Sequence, residues 1–246
     1  MSVWDTYSQR SSVRGDTKRA AAKRREIIHL QNNVQDSLSY HNVLIDGVER
    51  EVAIRDSDNL NEKVMLSLPG ENFRAGSYVY WADNFWLIME KDANREIYTR
   101  VKLSQCNHLL KWIDNLGVIR EQWCIIEDGT KYLTGAYEDR QFIVNRGDTR
   151  IAMFIGKNEH TVKFGRDRRF IIDDPDADDK LAYILSKPLK AGRTYAGEGI
   201  YGFVLQEGVT TNNDHVGLGI ADYYKHFVNE RPNDLPGPNR DREGWI

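Results

Sequence analysis

Apolar and polar residues alternate along much of this chain, in short runs that turn residues separate. A period of two is typical of β-strands, because successive side chains of a strand point to opposite faces. The first two runs flank the pair Asp46-Gly47, which is typical of the tight turn of a β-hairpin. The apolar residues of these runs are Val43, Ile45, Val48, Val52 and Ile54. This part of the sequence predicts a hairpin.

An aromatic stretch from Tyr78 to Met89 predicts a second hairpin, with its turn at Asp83-Asn84. The stretch from Glu96 to Leu103 alternates again, and Leu109 to Ile113 ends at a turn formed by residues 114–117. Short strands at short spacing are typical of small barrels. The sequence therefore predicts a mainly β fold with one or two small β-barrel or sandwich units. Further strands are predicted at Trp123–Ile126, Tyr132-Leu133, Gln141–Val144, Ile151–Ile155, Thr161–Phe164, Phe170–Ile172, Leu181–Leu185, Ile200–Leu205 and Val216–Ile220.

The two ends of the chain differ from this β body. The segment from Asp16 to Gln35 is rich in Ala, Lys, Arg, Glu and Gln, which favour a helix. After Tyr224 the sequence is polar and rich in proline, a composition that favours an extended tail. We predict four segments: a basic, partly helical N-terminal arm at 1–37, a first β-barrel-like domain at 38–118, a second β domain at 119–224 and an extended C-terminal tail at 225–246.

The predicted β domains show a weak internal match at an offset of 84 residues. Trp86–Ile88 aligns with Phe170–Ile172, and Asp92-Ala93 aligns with Asp176-Ala177. Duplication of one β-unit is one interpretation of the match. The other is that unrelated strands and turns share a similar composition. The sequence leaves both interpretations open.

Positive charge is concentrated at the front of the chain, although the net charge is −3. A basic arm suits either the phosphates of a nucleic acid or the acidic surface of a neighbouring subunit. We favour the subunit, because no base-reading motif accompanies the basic residues. The predicted partner-binding residues are Arg10, Arg14, Lys18, Arg19, Lys23, Arg24 and Arg25.

A run of carboxylates near residue 176 is the one candidate for a cation site. Its alternating side chains resemble those of a Ca²⁺-binding loop. An EF-hand requires Gly at its sixth position and Glu at its twelfth, where this chain has Asp179 and Leu185. We therefore predict a solvated acidic loop and no metal. Its residues are Asp173, Asp174, Asp176, Asp178 and Asp179.

The sequence contains no recognisable catalytic motif. It contains no nucleophile elbow, phosphate-binding glycine loop or zinc-binding motif, and its six histidines are dispersed. Cys106 and Cys124 lie in apolar segments and are predicted to be free, buried thiols. We predict a protein that is not an enzyme and has no cofactor. No apolar stretch reaches the roughly 18 residues of a membrane span, and a secretory signal pattern is missing at the start, so we expect no membrane role.

Several aromatic residues in the predicted strands are candidates for stacking on sugars or bases. We favour core packing, because their context is apolar and no Lys or Arg is interleaved with them. These residues are Trp81, Phe85, Trp86, Trp112 and Trp123.

Parts of the sequence resemble proteins encoded in phages and prophages of Gram-positive bacteria, over a span from about Trp4 to Tyr224. The segments that carry the resemblance are Gly76–Met89, Glu96–Asp114, Glu127–Leu133 and Leu218–Tyr224. The order of glycine, strand, turn and aromatic strand is also similar to the small β-barrels of head-closure, or stopper, proteins of tailed phages.

This resemblance implies a structural protein of the virion neck, assembled in the host cytoplasm. Such a protein forms a homo-oligomeric ring, commonly six- or twelve-fold, that contacts portal, adaptor and tail proteins. It helps to retain the packaged DNA without reading its sequence, and the acidic loop at Asp173–Asp179 is then expected to face the lumen or a partner. One alternative is a baseplate or tail-attachment component. Another is a carbohydrate-binding β module, which requires Trp81, Trp86 and Trp112 to be exposed in a row.

Overall fold

The alternating runs form strands in two units, and the chain divides between them after Gln105. The structure is a computed structural model that describes Trp4 and residues 17–92, 96–128, 150–173, 180–195 and 197–228. Helix α1 (Lys18–Asn33) lies ahead of the first β-strand. The predictions of a mainly β fold and of an N-terminal helix are confirmed. The extended tail was predicted at 225–246. Residues 225–226 instead end a short helix, and the residues beyond 228 lie outside the described part of the chain.

The first unit is a closed, antiparallel barrel of six strands. The strand order around the barrel is 1-2-3-6-5-4, and the barrel closes where Leu44 and Ile45 pair with Tyr80 and Val79. Closure removes the open edges that an isolated sheet exposes. The strands are β1 (Tyr40–Ile45), β2 (Val48–Asp56), β3 (Glu62–Ser67), β4 (Tyr78–Trp81), β5 (Asn84–Lys91) and β6 (Arg100–Gln105).

Two tight turns in this barrel adopt left-handed backbone conformations. Asp46 and Gly47 have φ of 49° and 81° in the β1–β2 turn, as expected for a two-residue hairpin loop. In the aromatic hairpin, the positive φ values belong to Ala82 and Asp83. The predicted turn at Asp83-Asn84 is therefore wrong by one residue, because Asn84 already pairs with Trp81 in the ladder.

Side chains of alternate residues fill the barrel. Val43 and Ile45 point inward from β1, and the intervening Leu44 points outward with 41% of its surface exposed. The buried core is therefore built from one face of each strand, as the period of two requires. Its members are Val43, Ile45, Val52, Ile54, Met65, Phe73, Val79, Trp86, Ile88, Val101 and Leu103.

The second unit is a six-stranded antiparallel sheet whose strand order matches that of the barrel. The order is β7-β8-β9-β12-β11-β10, which is again 1-2-3-6-5-4 when the strands are counted from β7. The strands are β7 (His108–Ile113), β8 (Ile119–Asp128), β9 (Arg150–Gly156), β10 (Arg169–Ile171), β11 (Ala182–Tyr195) and β12 (Glu198–Gly208), with a 3₁₀ helix at Thr161–Lys163 and helix α2 at Tyr223–His226.

Side chains link β7 to β10. These strands are the counterparts of β1 and β4, whose backbone pairing closes the first barrel. Arg168, just before β10, donates to the carbonyl of Ile113 at the end of β7. His108, at the start of β7, donates to the carbonyl of Ile171. Burial lowers the pKa of His108, although the charge of Asp173 opposes that effect. The second unit is thus barrel-like, with a seam bridged by side chains.

The shared strand order bears on the internal sequence match. It makes β4 the counterpart of β10, whereas the match at offset 84 aligns β5 residues Trp86–Ile88 with Phe170–Ile172 of the β10 segment. The matched segments therefore occupy non-equivalent strands. The strand order repeats, but the aligned sequence segments belong to strands that are not equivalent in that order.

Aromatic side chains dominate the core of the second unit. Phe164 lies at its centre, with ring centroids 5.1 Å from Trp112 and Phe170 and 5.7 Å from Phe203. Thr161 and Phe164, predicted to form a strand, lie instead in and just after the 3₁₀ helix. This short turn brings Phe164 into the core, where it is fully buried.

Other sequence predictions for this unit need correction. The predicted domain boundary between residues 118 and 119 would separate β7 from β8, its hydrogen-bonded partner, so β7 belongs to the second unit. The predicted strand at Val216–Ile220 is a turn region closed by one bridge between His215 and Ile220. The strands predicted at Tyr132-Leu133 and Gln141–Val144 lie outside the described residues.

Strand β11 continues ten residues beyond its predicted end at Leu185. Pro188 lacks a backbone N–H and predicts a strand end. β11 pairs with β12 along one edge and with β10 along the other. Because β10 pairs only with Ala182–Ile184, the second edge has no ladder partner at Pro188, and the proline fits there. The short length of β10, which sequence patterns do not show, therefore permits a proline at this position.

Candidate interaction surfaces

Helix α1 carries the described part of the predicted basic arm. Thr17 caps its first turn, and the Thr17 hydroxyl accepts a hydrogen bond from the Ala20 N–H at 3.1 Å. The described basic residues are Lys18, Arg19, Lys23, Arg24 and Arg25. Arg10 and Arg14 lie outside the described residues.

One face of α1 contacts the first unit. Arg19 and Lys23 form ion pairs with Glu96, in the segment between β5 and β6. Ile27 and Leu30 are half-buried on the same side of the helix. Exposed ion pairs contribute little individually, typically about 0–1 kcal/mol. Of the predicted basic residues, Arg19 and Lys23 thus form ion pairs within their own unit.

The opposite face of α1 is open to solvent. Ile28 is 50% exposed there, and Arg24 and Arg25 precede it by four and three residues. Residues spaced by three or four are neighbours on a helix surface. This face, formed by Arg24, Arg25 and Ile28, is called the outer face of α1 below. It combines an exposed apolar side chain with positive charge.

A shallow groove of about 290 Å³ lies on the outside of the first barrel. Its floor includes Leu44 and Tyr80, which are directly paired across β1 and β4 and are 41% and 37% exposed. Glu49 pairs with Leu44 from the other side. The groove is lined by Asn42, Val43, Leu44, Glu49, Tyr80, Trp81, Ala82 and Asp83. None of these described lining residues is Lys, Arg or His.

Negative charge surrounds this groove. The Tyr80 hydroxyl donates to Asp83 at 3.2 Å, and this hydrogen bond and the Asp83 charge raise the pKa of Tyr80. At the start of β1, desolvation, a hydrogen bond to Glu51 and the charges of Glu51 and Glu49 raise the pKa of Tyr40. In the groove lining itself, Glu49 and Asp83 carry the negative charge. The groove suits an apolar side chain accompanied by cations.

No pattern in the sequence predicted this groove. Leu44 was the available signal, because it is apolar at a position where the alternation of β1 calls for an outward-facing residue. An isolated exposed leucine is common on protein surfaces. Its pairing with Tyr80 depends on barrel closure, which sequence patterns do not contain.

The predicted acidic loop is described only at its first residue. The Asp173 carboxylate accepts a hydrogen bond from the Leu181 N–H at 2.9 Å. Asp174, Asp176, Asp178 and Asp179 lie outside the described residues. In the described ranges, no group of three or more His, Cys, Asp or Glu side chains is arranged to hold a metal ion.

A buried ionic network in the second unit was also missed. Arg169 donates to both oxygens of Asp214, at 2.8 and 2.6 Å, and to Asp222 at 2.9 Å. Burial alone raises the pKa of Asp214, but bonds from Arg169 and from the N–H groups of Asp222 and Thr211 hold it below its usual value. The network ties β10 to the segment that leads into α2. Arg169 and Asp214 pair with each other, and Asp222 pairs with both Arg169 and Lys225.

The candidate stacking residues are largely internal. Trp86 and Trp112 are only 4% and 3% exposed, and Trp81 contacts Trp86 at a ring distance of 5.7 Å. An exposed row of Trp81, Trp86 and Trp112 does not form, because Trp86 and Trp112 belong to the cores of different units. This arrangement removes the basis for the carbohydrate-binding hypothesis.

Both cysteines are buried and free. Burial raises the pKa of Cys106 to about 12 and also raises that of Cys124. A thiol must ionise to act as a nucleophile. Neither cysteine is therefore poised for catalysis near neutral pH.

A family model matches the first unit of the chain. Residues 18–105 match the model of the YomX N-terminal domain, a phage-associated family of the Bacillus prophage type. The match supports a phage protein. Its end coincides with the end of the first unit at Gln105. The searches of curated proteins and of solved structures gave no significant match. Within the described ranges, no helix has the length and apolar character needed to cross a bilayer.

Proposed function

We propose that this chain is a virion structural protein of the phage neck. In this role, copies form a ring that joins the portal and adaptor to the tail and helps to retain packaged DNA. The ring is six- or twelve-fold, assembles in the host cytoplasm and contacts the DNA, if at all, without reading its sequence. The function is structural and requires no catalytic site or cofactor.

The proposal is supported by the phage association of the family that residues 18–105 match. The observation that carries it further is the arrangement of α1. The helix is held to its own unit by Arg19 and Lys23, while Ile28, Arg24 and Arg25 face solvent. An arm fixed on one face and open on the other is suited to subunit contact. In the proposed ring, the acidic loop at Asp173–Asp179 faces the lumen or a partner, where negative charge would repel DNA phosphates.

The direct test measures the mass of the purified protein with and without the portal–adaptor complex, by native mass spectrometry or light scattering. We expect a closed ring on the complex. Deletion of residues 1–37 should abolish ring formation, and Arg24→Gln/Arg25→Gln should weaken it with the fold intact. The matched control Lys163→Gln/Arg166→Gln removes two exposed charges from the second unit and should bind normally.

Two outcomes would change the assignment. A persistent monomer that ignores the portal–adaptor complex would contradict the neck function. Binding to purified tail proteins, with no binding to the portal–adaptor complex, would indicate a baseplate or tail-attachment component instead.

A further inference from the structure

The outer face of α1 points away from the unit that holds the helix. Residues of an α-helix are 100° apart, so Ile28 lies about 140° around the axis from Lys23. Lys23 meets Glu96 of its own unit, whereas half of the Ile28 surface is exposed. Ile28 is therefore a half-exposed isoleucine that lies angularly between two exposed arginines. It is available to another molecule.

The groove on the first barrel has the complementary character. Leu44 and Tyr80 offer an exposed apolar surface in the groove, and the carboxylates of Glu49 and Asp83 in its lining are complementary to cations. Cross-strand pairing fixes Glu49 and Tyr80 on either side of Leu44. Charge complementarity of this kind fixes the register of an interface and speeds association. The groove therefore fits an apolar anchor flanked by Arg.

The helix and the groove occur on the same chain, and both are exposed at once. The helix is already anchored through its other face, where Ile27 and Leu30 are half-buried. Turning Ile28 onto the groove of its own barrel would remove Arg19 and Lys23 from Glu96. A second copy can use the outer face without this loss. Contact between different patches on two copies is heterologous, and such contacts generate rings when the rotation closes.

We propose that the outer face of α1 docks into the groove of a second copy, with Ile28 against Leu44 and Tyr80 and with Arg24 and Arg25 facing Glu49 and Asp83. This inference rests on the proposed function, since it assigns the contact that links neighbouring subunits of the ring. Its occupant is a second copy of this chain, not a portal or tail protein.

The first test uses sedimentation velocity on full-length variants. Ile28→Glu is compatible with the isolated helix, because Glu can pair with Arg24 and Arg25, but it meets Glu49 and Asp83 at the interface. Leu44→Thr keeps a strand-forming residue while removing the apolar floor. Each variant alone should self-associate at least tenfold more weakly than the natural chain, as expected for loss of a central anchor.

Mixing the two variants provides the sharper result. The Leu44→Thr chain keeps an intact helix, and the Ile28→Glu chain keeps an intact groove, so one intact contact is possible between them. The mixture should form a 1:1 dimer that cannot grow. Ala22→Glu places the same charge on an exposed position of α1 about 120° from Ile28, and Leu60→Thr alters a leucine of the same barrel that is 86% exposed. Both controls should assemble like the natural chain.

A covalent test distinguishes a second copy from the same copy. A chain carrying Ile28→Cys and Leu44→Cys is treated with oxidised glutathione and separated under denaturing, non-reducing conditions. Docking between copies should give a ladder of disulfide-linked multimers. A monomer with an internal disulfide would overturn the proposal. The natural cysteines should react slowly, because both are buried and have raised pKa values.

Failure of this contact can be told apart from failure of the proposed function. A ring on the portal–adaptor complex that neither Ile28→Glu nor Leu44→Thr disturbs would overturn the helix-to-groove contact and leave the neck function standing. A natural chain that stays monomeric, both alone at high concentration and with the complex, would overturn both.

Discussion

At the scale of single residues, the second unit depends on one buried arginine. Arg169 begins β10, and its guanidinium bonds Asp214, Asp222, Thr211 and the carbonyl of Val209. Only 14% of its side chain is exposed, and Asp214 is fully covered. Asp222 adopts a left-handed backbone with φ of 56°, which a short polar residue tolerates better than most. These contacts join segments that are forty or more residues apart in the sequence.

We expect Arg169→Met to destabilise the protein by about 3 kcal/mol, because removal of one partner leaves the Asp214 carboxylate buried without its cation. Urea denaturation followed by tryptophan fluorescence measures this loss. Arg166→Met serves as the control, since Arg166 is exposed, and it should change stability by less than about 0.5 kcal/mol. Equal stability of the two variants would show that the network contributes nothing.

At the scale of elements, a carboxylate organises the β7–β8 hairpin. One oxygen of Asp114 accepts from the N–H groups of Leu116 and Val118, and the other accepts from Arg120. The backbone bond from Val118, together with the bonds from Arg120 and Leu116, lowers the pKa of Asp114 to about 2, against the effect of desolvation. The charged form of this side chain is therefore the form that stabilises the turn.

This lowered pKa predicts a pH-dependent difference between the natural chain and Asp114→Asn. The amide can still accept the two backbone bonds but loses the charge that faces Arg120. Because the folded pKa lies below the unfolded value of about 3.9, the stabilisation is complete above that pH and is lost as the pH falls toward 2. The difference in Tm should be constant from pH 7 to about 5 and shrink as the pH falls through the folded pKa of about 2.

Thermal unfolding followed by circular dichroism between pH 7 and pH 2 provides the measurement. Asp58→Asn is the control, since Asp58 is exposed in the β2–β3 turn region, and its Tm should follow the natural chain at every pH. A difference for Asp114→Asn that persists unchanged at pH 2 would contradict the assignment of the effect to the carboxylate charge.

At the scale of the whole molecule, the chain repeats one strand order in two units. The first unit closes by backbone pairing between β1 and β4, and the second links the equivalent strands through Arg168 and His108. Each unit has its own core. The family match ends where the first unit ends, at Gln105. These observations mark the first unit as a domain in its own right.

We therefore expect residues 1–105 to fold when expressed alone, because closure leaves no sheet edge unpaired and the core is internal to the fragment. Circular dichroism should show β-structure, and chemical denaturation should be cooperative. A shorter control fragment, residues 1–77, keeps β1 to β3 but lacks the strands that close the barrel, and it should remain unfolded. An unfolded 1–105 fragment would show that the barrel depends on the second unit.

The sequence by itself determined the mainly β fold, the helix α1, the β1–β2 turn and the segregation of positive charge into α1. These features are local, since they follow from a period of two, from helix-forming residues and from turn residues next to one another in the chain. The basic residues of α1 were identified in the same way. The ion pairs of Arg19 and Lys23 with Glu96 were not, because they depend on how the helix lies against its unit.

Only the tertiary structure decided the features that join distant parts of the chain. Barrel closure places Tyr80 beside Leu44 and so creates the groove, and the short length of β10 allows Pro188 within β11. Packing around Phe164 draws Thr161–Lys163 into a 3₁₀ helix in place of a strand. Arg169 pairs with Asp214, which is too distant in the sequence for a local periodicity to predict the contact. Local patterns specify which residues are buried, but the partners of those residues are fixed by the register and closure of the sheets.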